Sequence, residues 1–224
     1  MKWCQGIYKF YAGMEPPGKL PNGIEWLYPQ KDKEVMKIVN AFLNKFYNDA
    51  TSRRLMLGIN PGRFGAGVTG VNFTAPRQLV EHCQIPYPYK MQSELSAEFI
   101  YDMINAYGGP QTFYSHYFIS SVCPLGFVKE GKNINYYDDK ELLKAVEPFV
   151  ISCMQQLLKL PFDTSVVYCI GGEKNYKYLA QLNKEHHWFQ QIVSLPHPRF
   201  IMQYKRKLKD EYVEMYVREL RMNN

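Results

Sequence analysis

The sequence predicts an α/β fold: a three-layer sandwich in which helices cover both faces of a central, mostly parallel sheet of four strands. Two observations predict it. Four short apolar runs, RRLMLGIN, HYFISSVCP, SVVYCIGG and QIVSLPHP, each end in turn residues and are rich in β-branched or aromatic side chains. Between them lie longer segments with apolar residues at helical spacing, and strands that alternate with helices need right-handed crossovers and hence parallel pairing. The 224 residues suffice for one sizeable core, so a single domain over 1–224 is expected.

Taken in order, the Pro- and Gly-rich MEPPGKLPNG makes residues 1–24 read as an irregular N-terminal arm. In KDKEVMKIVNAFLNKFYND, residues Val35, Met36, Val39, Phe42, Leu43 and Phe46 share one stripe with Lys and Asn opposite, the pattern of a surface helix packed on a core. The first strand, over RRLMLGIN, follows. Ser93 to Tyr107 carries Leu95, Phe99, Met103 and Ile104 and meets a helix-ending signal at Gly108-Gly109-Pro110. After the second strand a long helical pattern runs from Asp138 to Leu158, with Pro148 as a point of kinking or restart. The third strand leads to a short helix over Asn175 to Leu182, and beyond the fourth Leu208, Tyr212, Val213, Tyr216, Val217 and Leu220 mark a last amphipathic helix. Ligands of such sheets bind beyond the carboxyl ends of the strands. Asn60, Ser121, Gly171-Gly172 and His197 all fall there.

Composition narrows the function. No run approaches the roughly 18 uninterrupted apolar residues of a membrane span, and the opening MKWCQGIYKFYAG lacks the apolar core and cleavage site of a secretory signal. A cytoplasmic protein is expected. Cys4, Cys83, Cys123, Cys153 and Cys169 include no C-x-x-C pair, and none stands at ligand spacing from a His, so disulfides, zinc and iron–sulfur clusters are not expected. The net charge of +6 allows a polyanionic partner without requiring one.

The stretch LMLGINPGRFGAGVTGVNF, residues 55–73, turns from buried strand to loop chemistry. Pro61 forces Asn60 out of helical geometry, and Gly62, Gly65, Gly67 and Gly70 let backbone N–H groups approach a flat ligand closely. A P-loop would need a Lys that is missing here, and Gly65-x-Gly67-x-x-Gly70 lies well past the strand end where a dinucleotide fingerprint would start. Spacing alone leaves a binding loop and a plain turn as alternatives.

GINPGRFGAGVTGVNF resembles the first motif of the single-strand-selective monofunctional uracil-DNA glycosylases, close to G-M-N-P-G-P-F-G-M-x-x-T-G-V-P-F, and LPHPR resembles the start of their second, H-P-S-P-R. FISSVCPL is similar to the family's strand ending in H-N-x-C-P-L, and CIGGEKNYKYL to its strand-to-helix turn. The resemblance runs in order from residue 24 to 205. It implies an enzyme that takes a damaged base out of DNA and cuts its N-glycosidic bond, acting without metal or cofactor. By the same resemblance Asn60 matches the Asn that positions the attacking water, Phe73 the aromatic that stacks on the flipped base, and His197 the imidazole that stabilises the departing base. Ser121 takes the place of the Asn that reads the uracil edge. Gly62, Phe64 and Gly65 are expected around the base, and Pro61, Arg63, Pro196, Pro198 and Arg199 against the DNA. Arg63 stands where the family favours Pro, Ala66 where it often has Met, and Phe200 directly follows Arg199, one residue short of the family pattern.

Physical chemistry supports those roles. A carboxamide has no useful basicity near neutral pH, so Asn60 can orient a water but not deprotonate it. The glycosidic bond must therefore be largely broken before water attacks, and catalysis rests on donors aimed at the leaving base, each contributing roughly 2.7–4 kcal/mol by comparison with oxyanion-hole donors. Stacking on Phe73 would supply roughly 1–3 kcal/mol whatever the base. The Ser121 hydroxyl is shorter than an Asn side chain and can rotate to donate or accept, so selectivity is expected to relax from uracil toward xanthine or hypoxanthine. In PRFIMQYKRKLKD, Arg199, Lys205, Arg206, Lys207 and Lys209 precede any acid. Such a run is either a solvated face or a phosphate contact that helps push Arg199 or Phe200 into the space a flipped nucleotide leaves. No Lys at a motif position could form a Schiff base, so the expected enzyme is a monofunctional glycosylase, working on DNA as a monomer. A non-catalytic nucleic-acid or nucleotide-binding module is the alternative, and the presence of both Asn60 and His197 argues against it.

Overall fold

The computed structural model describes residues 2–21 and 23–222; positions 1, 22, 223 and 224, which the expected domain and arm include, lie outside them. The chain begins with a helix, α1 (Trp3–Ala12), where the nearby Pro and Gly residues suggest an irregular arm. The stripe that builds it, Trp3, Ile7, Phe10 and Tyr11, has helical spacing and is buried, whereas the breakers begin only at Gly13. Its first turn is tied down. The Trp3 and Cys4 amides donate to the Asp49 and Tyr47 carbonyls at 2.8 Å each, and the Trp3 indole donates to the Thr51 carbonyl at 2.6 Å. Beneath it the fully buried Arg53 guanidinium lies over the Trp3 and Tyr47 rings, 5.2 and 5.0 Å from their centroids, and is neutralised by Asp49 at 2.6 Å. The arm's irregular part is confined to the residues after α1.

Strand β1 (Ile24–Leu27) leads through a 3-10 turn to helix α2 (Lys33–Phe46), which Asp32 caps and which buries the expected stripe against the core. Then come β2 (Arg53–Gly58), the short helices α3 (Ala66–Thr69) and α4 (Pro76–Glu81), and α5 (Leu95–Tyr107). Helix α5 stops at Gly108 as expected. Pro110 does more than end it: in the first turn of a further helix, α6 (Gly109–His116), its missing N–H costs nothing. Strand β3 (Tyr117–Ser121) is followed by β4 (Gly126–Lys129), β5 (Lys132–Ile134) and helix α7 (Lys140–Leu157), which passes Pro148 as one helix. Strand β6 (Phe162–Ile170), helix α8 (Gly172–His186), strand β7 (Gln191–Leu195) and helices α9 (Pro198–Tyr204) and α10 (Lys209–Met222) complete the chain. Helix α8 extends beyond the expected Asn175–Leu182 at both ends.

The four expected strands form one sheet in the order β3-β2-β6-β7, every pairing parallel, flanked by helices. Its central strands β2 and β6 read as apolar runs because both faces are covered. A second, antiparallel sheet in the order β1-β4-β5 is not foreseen by the sequence reading. Its strands are only three or four residues long and carry Lys and Glu, too brief for alternation to show. Strands β4 and β5 form a hairpin around Glu130-Gly131, both at positive φ (50° and 71°), the two-residue turn whose twist suits a hairpin.

Candidate active site

The carboxyl ends of the four parallel strands open into a cleft of about 360 Å³. Asn60 enters it two residues past β2, Ser121 as the last residue of β3, Gly171 just past β6, and His197 two residues past β7. The carboxamide and the imidazole thus face one space, together with the Phe73 ring.

Backbone fixes the Asn60 amide. Its Oδ1 accepts the Tyr136 N–H at 3.1 Å, and its Nδ2 donates to the Ile134 carbonyl at 3.3 Å. Tyr136 takes one of the two Oδ1 lone pairs, and the residue lines the cleft. The clamp comes from the unforeseen small sheet, since Ile134 ends β5 and Tyr136 follows it. Tyr136 is in turn buried with its hydroxyl donating to Asn175 Oδ1 at 2.6 Å, and Asn175 Nδ2 donates to the Gly58 carbonyl at 3.3 Å. A closed chain of hydrogen bonds therefore joins the end of β2, the β5 loop and the start of α8 around Asn60.

His197 caps α9, its Nδ1 accepting the Arg199 N–H at 3.1 Å. A neutral imidazole that accepts at Nδ1 carries its proton on Nε2. Burial first, and the neighbouring Arg199 guanidinium second, push its pKa down from 6.5 to about 4. The ring is a neutral donor at physiological pH.

Phe73 holds φ at 51°, a left-handed conformation that costs a non-glycine residue about 1–2 kcal/mol. The loop enforces it: Thr69 Oγ1 donates to the Thr74 carbonyl at 2.6 Å, and Thr74 Oγ1 to the Asn72 carbonyl at 3.2 Å. The Phe73 ring lies 6.2 Å from the His197 ring, tilted by 47°. Its edge rests on Gly58, where a Cβ would come within 2.6 Å of Phe73 Cε2 and 3.4 Å of Ser121 Oγ. Ser121 is buried, and its hydroxyl donates to Asn72 Oδ1 at 2.8 Å, so it is not the free rotor that the sequence reading assumes. Glu94 closes another side with its carboxylate against Gly62 and Gly65; burial chiefly raises its pKa, while Arg199 draws it down.

A strand-end amide, a neutral imidazole and an aromatic ring around one cleft invite comparison with known base-excising enzymes. The family model of the uracil DNA glycosylase superfamily matches residues 45–221. The chain belongs to the uracil-DNA glycosylase superfamily. Its fold is similar to that in the crystal structure of SMUG2 from Pedobacter heparinus, with 44% sequence identity, a TM-score of 0.96, and coverage of 100% of this chain and 99% of that one. It is a DNA glycosylase, a hydrolase acting on N-glycosyl bonds.

Of the residues singled out in the sequence, this glycosylase brings Asn60, Pro61, Gly62, Phe73, Ser121, His197 and Arg199 to the cleft. Phe64, expected around the base, does not line the cleft. It is 45% exposed, stacked under the Arg63 guanidinium at 4.5 Å and outside the cleft lining, because the chain turns into α3 there and points the ring outward. Gly65 caps α3 and touches Glu94 rather than the cleft space. Arg63 itself is held by the hairpin, its N–H donating to Asn133 Oδ1 at 3.2 Å and its guanidinium to the Gly131 carbonyl. Pro196 accepts a hydrogen bond from the Tyr216 hydroxyl and buried Pro198 opens α9, so both shape the backbone around His197. Lys205, Arg206 and Lys207 are exposed just past α9, beyond the cleft rim. Sequence reasoning missed Asn72, Glu94, Asn133, Asn135, Tyr137 and Tyr204, all of which line the cleft. Only the alternation of Asn133 and Asn135 about Ile134 is a local signal. Tyr204 and Phe200, 72% and 46% exposed with centroids 5.6 Å apart, form an aromatic rim on α9. Among the described residues no helix is long and apolar enough to cross a membrane, and no group of three or more His, Cys, Asp or Glu could hold a metal ion.

Proposed function

We propose that this glycosylase excises uracil, and also hypoxanthine and xanthine, from DNA by a dissociative path in which Asn60 serves the sugar and His197 serves the base. The observation that carries the reading is the shared cleft of the backbone-clamped Asn60 amide and the neutral His197 ring. A flipped base, extruded at a cost of a few kcal/mol, stacks on Phe73. The C1′–N bond breaks with its electron pair leaving on the base, and His197 Nε2–H donates to the oxygen on which that charge gathers. Water held by the second lone pair of Asn60 Oδ1 then forms the C1′–O bond, its proton passing to the base anion or to solvent. A neutral donor suits this task, since it stabilises the anion without competing for its proton.

The extension to purines rests on Ser121, whose short side chain leaves room that an Asn would fill. Arg199, Phe200 and Tyr204 at the rim would occupy the vacated stack, and Lys205, Arg206 and Lys207 would meet phosphates.

Oligonucleotides carrying single uracil, hypoxanthine or xanthine residues, single- and double-stranded, are incubated with the protein and treated with alkali to cut abasic sites. Cleavage at each base is expected, with Asn60→Ala and His197→Ala slower by about 100-fold or more while still folded. Intact oligonucleotides across all three bases would leave only the binding-module reading.

A further inference from the structure

The family motif ends V-P-F where this chain has Val71-Asn72-Phe73, and the change from Pro to Asn accompanies the Ser at position 121. Asn72 and Ser121 are 6% and 4% exposed, line the cleft together, and are joined by the Ser121 hydroxyl donating to Asn72 Oδ1. We propose that Asn72 determines base selection by fixing the Ser121 hydroxyl as a hydrogen-bond acceptor toward the base, so that the cleft selects the ring N–H that deamination creates. The proposal rests on the glycosylase reading above.

A hydroxyl has one hydrogen and two lone pairs. With its hydrogen committed to Asn72, Ser121 can present only lone pairs to the cleft. Uracil offers N3–H on its pairing edge and hypoxanthine offers N1–H, whereas cytosine N3 and adenine N1 are lone pairs. Against a fixed acceptor the undamaged bases place lone pair on lone pair in a buried site, which leaves both groups without a partner. A free hydroxyl would turn and donate to them. The device therefore tolerates rings of different size yet rejects cytosine and adenine, the parents of uracil and hypoxanthine. It is blind to a 5-methyl group and to the N1–H that guanine shares with xanthine, so thymine and guanine must be turned away by shape.

Asn72 is supported from behind by α1, where the Tyr11 phenol hydrogen-bonds its amide and both residues line a small internal cavity. The sequence motifs give no hint of this link, because Tyr11 lies in the segment that reads as an arm.

Binding separates this idea from catalysis. Oligonucleotides with one 2′-fluoro-deoxyuridine or 2′-fluoro-deoxycytidine resist excision, since fluorine destabilises the sugar cation, and their affinities are compared by anisotropy for wild type, Asn72→Asp and Asn72→Leu. Asp keeps an acceptor facing Ser121 and is expected to hold the uracil-over-cytosine preference within about threefold of wild type; Leu frees the hydroxyl and should lower it about tenfold, the equivalent of one hydrogen bond. Ser121→Ala, which leaves the loop intact, should lower it likewise if the Leu variant does not fold. A preference unchanged in Asn72→Leu or Ser121→Ala, or lost as fully in Asn72→Asp as in Asn72→Leu, overturns the proposal. Selective binding by a wild type that excises nothing would instead sink the glycosylase mechanism and leave this inference standing.

Discussion

His197 shows how much one backbone hydrogen bond decides. Because Nδ1 accepts from Arg199 and burial holds the pKa near 4, the imidazole stays neutral and Nε2-protonated from mildly acid to alkaline pH. Excision is expected to be level down to about pH 5 and to fall as pH drops through about 4, when a second proton at Nδ1 displaces the Arg199 N–H. Stability should follow the same sign: the unfolded chain takes up this proton near 6.5 and the folded one near 4, so acid between those values favours unfolding. Single-turnover rates across pH check the first expectation; an acid limb near 6.5 that His197→Gln abolishes would mean a solvated ring. Asn60 and His197 were legible as strand-end residues from the apolar runs before them, and their roles only through the resemblance of GINPGRFGAGVTGVNF and LPHPR to the family motifs. Asn72, Glu94 and Tyr136 were not, since each acquires its role from a partner far along the chain.

The longest helices and the apolar parallel strands were legible, whereas α1, hidden beside Pro- and Gly-rich sequence, and the brief β4 and β5 were not. Helices of three or more turns and doubly covered parallel strands repeat their pattern often enough to be read, whereas β4 and β5 offer three or four residues and a charged turn. Yet that hairpin holds Asn60. The end of β2 has a constraint of its own, the contact of Gly58 with the Phe73 ring. In Gly58→Ala the new methyl would push the ring toward the open cleft, a yielding neighbour, so the stability loss should stay near 1 kcal/mol, the low end for overpacking. The stacking position is lost instead, and KM for a uracil oligonucleotide should rise several-fold. Phe73→Leu alone should raise KM similarly, but adding it to Gly58→Ala should raise it little further, because the two changes remove the same contact. Fully additive effects on KM would show that the ring and the strand end act separately.

Across the whole molecule, a net charge of +6 and the exposed Lys205, Arg206 and Lys207 beside the aromatic rim describe a surface suited to a polyanion. Replacing those three residues with Ala should weaken DNA binding irrespective of base and reduce the slope of log affinity against log salt by about two to three. Anisotropy titrations over a range of salt read both; an unaltered slope would make the run a solvated face. The strand order carries a further consequence for how the enzyme is made. Strand β2 reaches the ribosome exit early, but the hairpin that grips its amide arrives much later, and the imidazole beyond β7 later still. A chain that stops before residue 197 lacks His197, and one that stops before β5 also lacks the partners that hold the Asn60 amide. On the proposed mechanism, base cutting would therefore await translation of nearly the whole chain.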